Sequence, residues 1–239
     1  MAKRGKVKQI ASRETVDRPV RSRKYKYLML IVCEDENTER VYFEQFRALF
    51  NELLPDDTVY IRAVGTGRNS LGVVSQAIVE RDRLVEESGK LVDEVWAVFD
   101  KDDLDKVEKT RENFRQAFVK AGEEKIRIAY SNECFELWLL LHFIGVSECE
   151  AIPRSQLYKM LAAAIAKYDK NFVYDHGDAA VLLEVQKYGN ETKAIERSIA
   201  LDEYHREMNH APIEANPRTL VYQLVQQLRT WFAFYSYKE

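Results

Sequence analysis

Residues 27–40 read YLMLIVCEDENTER, and the change of character inside that stretch decides the fold. From Tyr27 to Cys33 no polar residue interrupts the run. A strand buried on one face alternates apolar and polar side chains, whereas a strand buried on both faces is apolar throughout, as in parallel sheets covered by helices on either side. The run stops at Glu34, and polar residues continue to Glu39. Tyr42, Phe43, Phe46, Leu49, Phe50 and Leu53 then recur at the three- and four-residue spacing of one helix face, until Pro55 and the Asp56-Asp57 pair break it. Buried strand, polar turn and amphipathic helix are the opening of an α/β unit.

Working outward, the unit repeats. Residues 58–64 read as a second strand, followed by the loop Gly65-Thr66-Gly67-Arg68-Asn69-Ser70 and a helix that runs to about Glu87. Residues 94–99 (EVWAVF) read as a third strand ending at Asp100, with a helix from about Asp105 to Ala121, and residues 125–130 (KIRIAY) as a fourth strand. Residues 135–143 are apolar on all sides, as in a buried helix. Beyond Pro153 the spacing predicts helices over 154–167, 178–187, 191–207 and 217–235, the last with Asn216 as N-cap and Pro217 in its first turn, and no strand. The expected fold is α/β: a parallel sheet with right-handed crossovers, flanked by helices, and a mostly helical C-terminal extension. The expected division is a flexible basic arm over 1–24, an α/β catalytic domain over 25–150 and a helical extension packed on it over 151–239.

The composition excludes several classes. No apolar run approaches the ~18 residues of a membrane helix, the longest being centred on Leu137 to Leu141. The basic N-terminus has no apolar segment behind it, so no secretory signal is expected. Cys33, Cys134 and Cys149 are scattered without metal-binding spacing, which suits reduced thiols in a cytoplasmic protein and argues against zinc. The net charge of −3 hides an asymmetry. Residues 1–27 hold ten Lys/Arg against two acids, a net +8, while the remainder holds 26 against 37, a net −11. A basic arm on an acidic body suits contact with a polyanion such as nucleic acid, DNA or RNA; the alternative is a solubilising tail, or an arm folded back on the body.

Active sites of open α/β sheets gather at the carboxyl ends of the strands. Here the first strand ends in Glu34, with Glu39 about one helical turn on; the third ends in Asp100-Lys101-Asp102; the fourth ends in Ser131-Asn132-Glu133, with Glu136 three residues later. Neighbouring strands lie ~4.8 Å apart, so acids at their ends can converge. Converging carboxylates repel one another, and a divalent cation relieves that repulsion. Oxygen-only ligands favour Mg2+ or Mn2+, and such an ion activates water and stabilises charge on a phosphoryl group. Taken singly, each acid reads more readily as a helix cap than as a ligand; the ordered combination is the stronger signal.

The order Glu34…Asp100-Lys101-Asp102 resembles the Toprim domain of topoisomerases, primases and OLD-type nucleases. A closer resemblance is to the RloB-like family, carried by IVCEDENTERVYF (31–43), VFDKDD (98–103), YSNECFELWLLLHF (130–143) and NPRTLVYQL (216–224). The resemblance implies a Mg2+-dependent nuclease of phage-defence and abortive-infection loci, with a genetically linked AAA-type ATPase as partner. It implies Glu34, Asp100 and Asp102 as the catalytic metal site, with Glu39 and Glu136 supporting a second ion. Two positions depart from the family pattern: Asp35 stands where Gly is usual, and Glu133 where Pro is frequent. The second departure ranks Glu136 above Glu133 as a ligand, although the S-x-E spacing argues the other way.

Two rivals stand beside this reading: a non-catalytic scaffold that docks the ATPase, and a phosphoryl-transfer enzyme acting on a small nucleotide. The remaining polar features carry less. The Gly65–Asn69 loop precedes a helix, and Arg68 there is a candidate phosphate contact, but the loop lacks the Lys-Ser/Thr of a nucleotide-binding loop and an ordinary turn is the simpler reading. His142 reads as a satisfied core histidine.

Overall fold

The computed structural model describes residues 25–54, 58–101 and 108–236. The doubly apolar run forms β1 (Tyr27–Cys33), paired in parallel with β2 (Val59–Gly65) on one side and β3 (Glu94–Asp100) on the other. Next to β3 lies β4 (Arg127–Asn132), also parallel. The two-residue β5 (Arg218–Thr219) closes the edge antiparallel to β4, giving the order β2-β1-β3-β4-β5.

Both faces of β1 are buried, against different partners. Met29, Ile31 and Cys33 point into a core shared with α1 (Thr38–Leu53), α4 (Glu136–Leu141), α5 (Arg154–Ile165), α6 (Ala180–Tyr188) and α8 (Val221–Ser236). Leu30 and Val32 point into a second core with α2 (Ser70–Ser88) and α3 (Glu108–Glu123). The period-two alternation thus distributes one strand between two hydrophobic layers. The helix α7 (Glu191–Glu207) completes the C-terminal region. Among the described residues no helix is long and apolar enough to cross a membrane.

The C-terminal region is not helical throughout, and the expected start of its last helix is corrected. Asn216-Pro217 does not open α8; Arg218 and Thr219 instead join the sheet opposite Asn132 and Ser131, and α8 begins at Val221. Side chains stabilise the alternative: the Ser131 and Thr219 hydroxyls lie 3.0 Å apart, and Asn216 reaches back to Ile152, accepting from its N–H (2.9 Å) and donating to its carbonyl (3.2 Å). Arg218 is buried against Asp202, with Nε at 2.8 Å and Nη2 at 2.5 Å from Oδ1, while Tyr222 donates to Oδ2 at 2.7 Å. His142 is a core histidine, buried with Nδ1 2.9 Å from the Trp138 carbonyl.

Candidate active site

The sheet order places its switch point between β1 and β3, whose connections depart in opposite directions, so a crevice opens beyond their carboxyl ends. Glu34 follows β1 there and Asp100 ends β3. The turn carrying Glu34 is fastened on three sides. Its N–H donates to the Val98 carbonyl (2.9 Å), its carbonyl accepts from Gly67 N–H (2.8 Å), and the Thr66 hydroxyl donates to the Cys33 carbonyl (3.0 Å). The Gly65–Asn69 loop therefore braces this turn. A Cβ at Gly65 would collide with Cα of Glu36 and stand 2.9 Å from the Asp35 carbonyl oxygen. Asn69 caps α2 through Gly72 N–H (2.9 Å).

The Asp35 carboxylate accepts from Asn37 N–H (3.0 Å) and Thr38 N–H (2.6 Å), so it caps α1. In the first turn of α1, Glu39 is 2 % exposed and its Oε2 accepts from Asp35 N–H at 3.0 Å. On the opposite side α4 begins at Glu136, buried like the rest of that helix. Glu34, Glu39, Asp100 and Glu136 thereby line one cavity of about 190 Å3, together with Arg154, His176 and Asp35.

Electrostatics bind the four acids into one unit. Burial pushes the Glu34 carboxyl up to about 7. Burial, and then the charge of Glu34, pushes Glu39 well above the usual carboxylate range. Asp100 is raised by burial and by Glu39, Glu136 and Glu34, while Arg154 pulls it down. Glu136 differs. Burial would raise it, but hydrogen bonds from His176, Tyr174 and Cys134 outweigh that and hold it below its ordinary value. The Tyr174 hydroxyl donates to Glu136 Oε1 at 2.6 Å, and His176 Nδ1 lies 3.2 Å from the same oxygen. The His176 ring stacks on Tyr158, with centroids 4.8 Å apart.

Oxygen-only donors of this kind suit a hard divalent cation. Asp100 Oδ1 is buried without a hydrogen-bond partner, as expected of an acceptor reserved for a ligand. Among the described residues, however, no group of three or more His, Cys, Asp or Glu side chains is arranged to hold a metal ion. Asp102 lies outside the described residues. A larger cavity of about 310 Å3 sits between α1, α6 and α8. Its one carboxylate, Glu191, is already paired with Arg229 at 2.7 and 2.8 Å, whereas the smaller cavity gathers several carboxylates.

A protein-family model described as RloB-like protein matches residues 29–228. The chain belongs to the RloB-like family. No curated protein and no solved structure gave a match.

In this RloB-like protein the structure gathers Glu34, Glu39, Asp100 and Glu136 in the cavity lining and leaves Glu133 and Arg68 outside it, Asp102 lying outside the described residues. Glu133 does not line the cavity: its Oε1 lies 3.1 Å from Lys101 Nζ and accepts from Asn216 Nδ2 at 3.2 Å, while its Oε2 is buried without a hydrogen-bond partner. Arg68 is exposed on the bracing loop, also outside the lining. Three residues at the cavity were not singled out from sequence: Arg154, Tyr174 and His176. They come from the helical region, and only the fold brings them to the strand ends. Pro153 before Arg154 signals a helix start and nothing more.

Proposed function

We propose that this RloB-like protein is a metal-dependent Toprim-type endonuclease that cuts nucleic acid as the effector of a bacterial anti-phage system, working with an AAA-type ATPase in the cytoplasm. The observation that carries the reading is the placement of Glu34 and Asp100 at the carboxyl ends of adjacent parallel strands, in one cavity with Glu39 and Glu136. The family resemblance supports the defence role and the ATPase partner.

Glu34 and Asp100 would hold Mg2+ or Mn2+ together with Asp102, and Glu39 and Glu136 would extend the site. The ion supplies activation of a water molecule and neutralisation of phosphoryl charge. The chain's own residues orient and exclude. The Asp100 N–H fixes Glu34 Oε2 (3.2 Å), the Asp35 N–H fixes Glu39, and Tyr174 with His176 fixes Glu136. Each glutamate keeps one oxygen anchored while the carboxylate faces the cavity. Burial of Glu39, Asp100 and Glu136 strengthens charge interactions inside the cavity.

The test is cleavage of plasmid DNA and bulk tRNA with Mg2+ or Mn2+, comparing wild type with Asp100→Ala and Glu34→Ala. Metal-dependent cutting lost in both variants is the expected result. A second reading, a scaffold subunit that docks the ATPase, draws on the lack of a preformed three-ligand group among the described residues. Wild-type protein that cuts neither substrate, alone or co-expressed with its ATPase, would establish that reading instead.

A further inference from the structure

The acidic cavity has a second wall with different chemistry. Arg154 opens α5, in the helical region, and is the one guanidinium or ammonium among the side chains described as lining the cavity. Its Nη2 stands 3.7 Å from Asp100 Oδ2, beyond the ~2.7–3.2 Å of a hydrogen bond. Its side chain keeps 28 % of its exposure, while its Nε is buried. Its charge lowers the pKa of both Glu34 and Asp100.

A fixed positive charge is costly in a divalent-cation site, because it repels the ion that the carboxylates attract. The arrangement becomes favourable when an anion bridges the two. A phosphodiester has two non-bridging oxygens, and these can accept from the planar guanidinium fork, whose donors match phosphate geometry.

We propose that Arg154 binds the scissile phosphodiester of a nucleic-acid substrate, so that the helical C-terminal region forms the substrate-binding wall of the site. This rests on the metal-dependent nuclease reading above. With a substrate phosphate in the cavity, Asp100 would remain available to hold the ion with Glu34, and the Arg154 guanidinium would donate to the phosphate oxygens.

The test uses the full chain and Ca2+, which allows binding without turnover, so that no readout depends on cleavage. Ca2+ binding is followed by calorimetry and thermal unfolding for wild type, Arg154→Gln and Arg154→Lys. Binding of a fluorescent DNA duplex and of an RNA hairpin is followed by anisotropy across a salt series. Arg154→Gln is expected to bind Ca2+ at least as tightly as wild type, while its affinity for the preferred nucleic acid falls about tenfold or more. The slope of log affinity against log salt should shrink by about one. Arg154→Lys should restore the slope and only part of the affinity, and it carries the test if the glutamine variant does not fold. A merely structural role for Arg154 would weaken Ca2+ binding as well, and that result overturns the proposal. So does unchanged nucleic-acid affinity in Arg154→Gln, or wild-type protein that binds Ca2+ but neither nucleic acid. Wild-type protein that binds no divalent ion overturns the nuclease reading itself, and the inference falls with it.

Discussion

Replacing Glu34 by Gln should make the metal-free protein more stable at alkaline pH, even though it removes a residue assigned to the active site. The free glutamate side chain titrates at 4.5, and burial in the cavity raises Glu34 to about 7. Between those values the folded state holds a proton that the unfolded chain has released, so stability falls as pH rises through that window. At about 1.4 kcal/mol per pH unit, the ionised carboxylate costs the folded protein about 3 kcal/mol at pH ~8.5. Glutamine has the same shape, keeps an acceptor for the Asp100 N–H and carries no charge, so the variant should gain about 2–3 kcal/mol there and less than about 0.5 kcal/mol at pH ~4.5. Urea unfolding in chelator at the two pH values measures the difference. Adding Mg2+ should reverse the order, because only wild type recovers the cost through the ion. A variant less stable than wild type in chelator at pH ~8.5, or a gap that ignores pH, would refute the view that the site stores the repulsion of desolvated acids.

Other perturbations follow from the same geometry. Asp202→Ala removes both oxygens that neutralise buried Arg218 and satisfy Tyr222. It should cost about 3–5 kcal/mol in urea unfolding, as expected when one partner of a buried pair is lost. Gly65→Ala drives a Cβ into the backbone at Glu36. It should lose about 1–3 kcal/mol and, by shifting the turn that presents Glu34, most metal-dependent cleavage. His142 is held to about 4 by burial, so its contribution is present above about 6.5 and is lost as pH falls toward 4. Wild type should therefore lose about 3 kcal/mol across that range that His142→Phe does not lose, and the difference between their urea midpoints tracks it.

The sheet was legible where both faces of a strand are buried. The apolar run 27–33 matches β1 residue for residue, and the third strand ends at Asp100 as read. The fourth strand starts two residues later than its sequence suggests, because Lys125 adopts a left-handed backbone conformation (φ 56°) and belongs to the turn after α3. The short β5 was not legible. Two residues carry no periodicity, and their pairing depends on Ser131 and Asn132, some 86 positions earlier. The choice between Glu133 and Glu136 had the same character. Spacing alone cannot reveal that Glu136 lines the cavity, held by Tyr174 and His176, while Oε1 of Glu133 faces Lys101 outside it. Arg154 was missed for that reason too: its meaning lies in its distance from Asp100, not in its neighbours along the chain.

The short β5 gives the chain an unusual indivisibility. Without residues 218–219, the free edge of β4 would offer its unpaired peptide groups to any passing strand, and the apolar surface of α4 would lose the α8 layer that follows them. A fragment ending near residue 150 would then be sticky rather than autonomous. Exchange of parts between relatives, by recombination or by design, should therefore succeed with the whole span from β1 to α8 and fail when the seam is cut after the fourth strand.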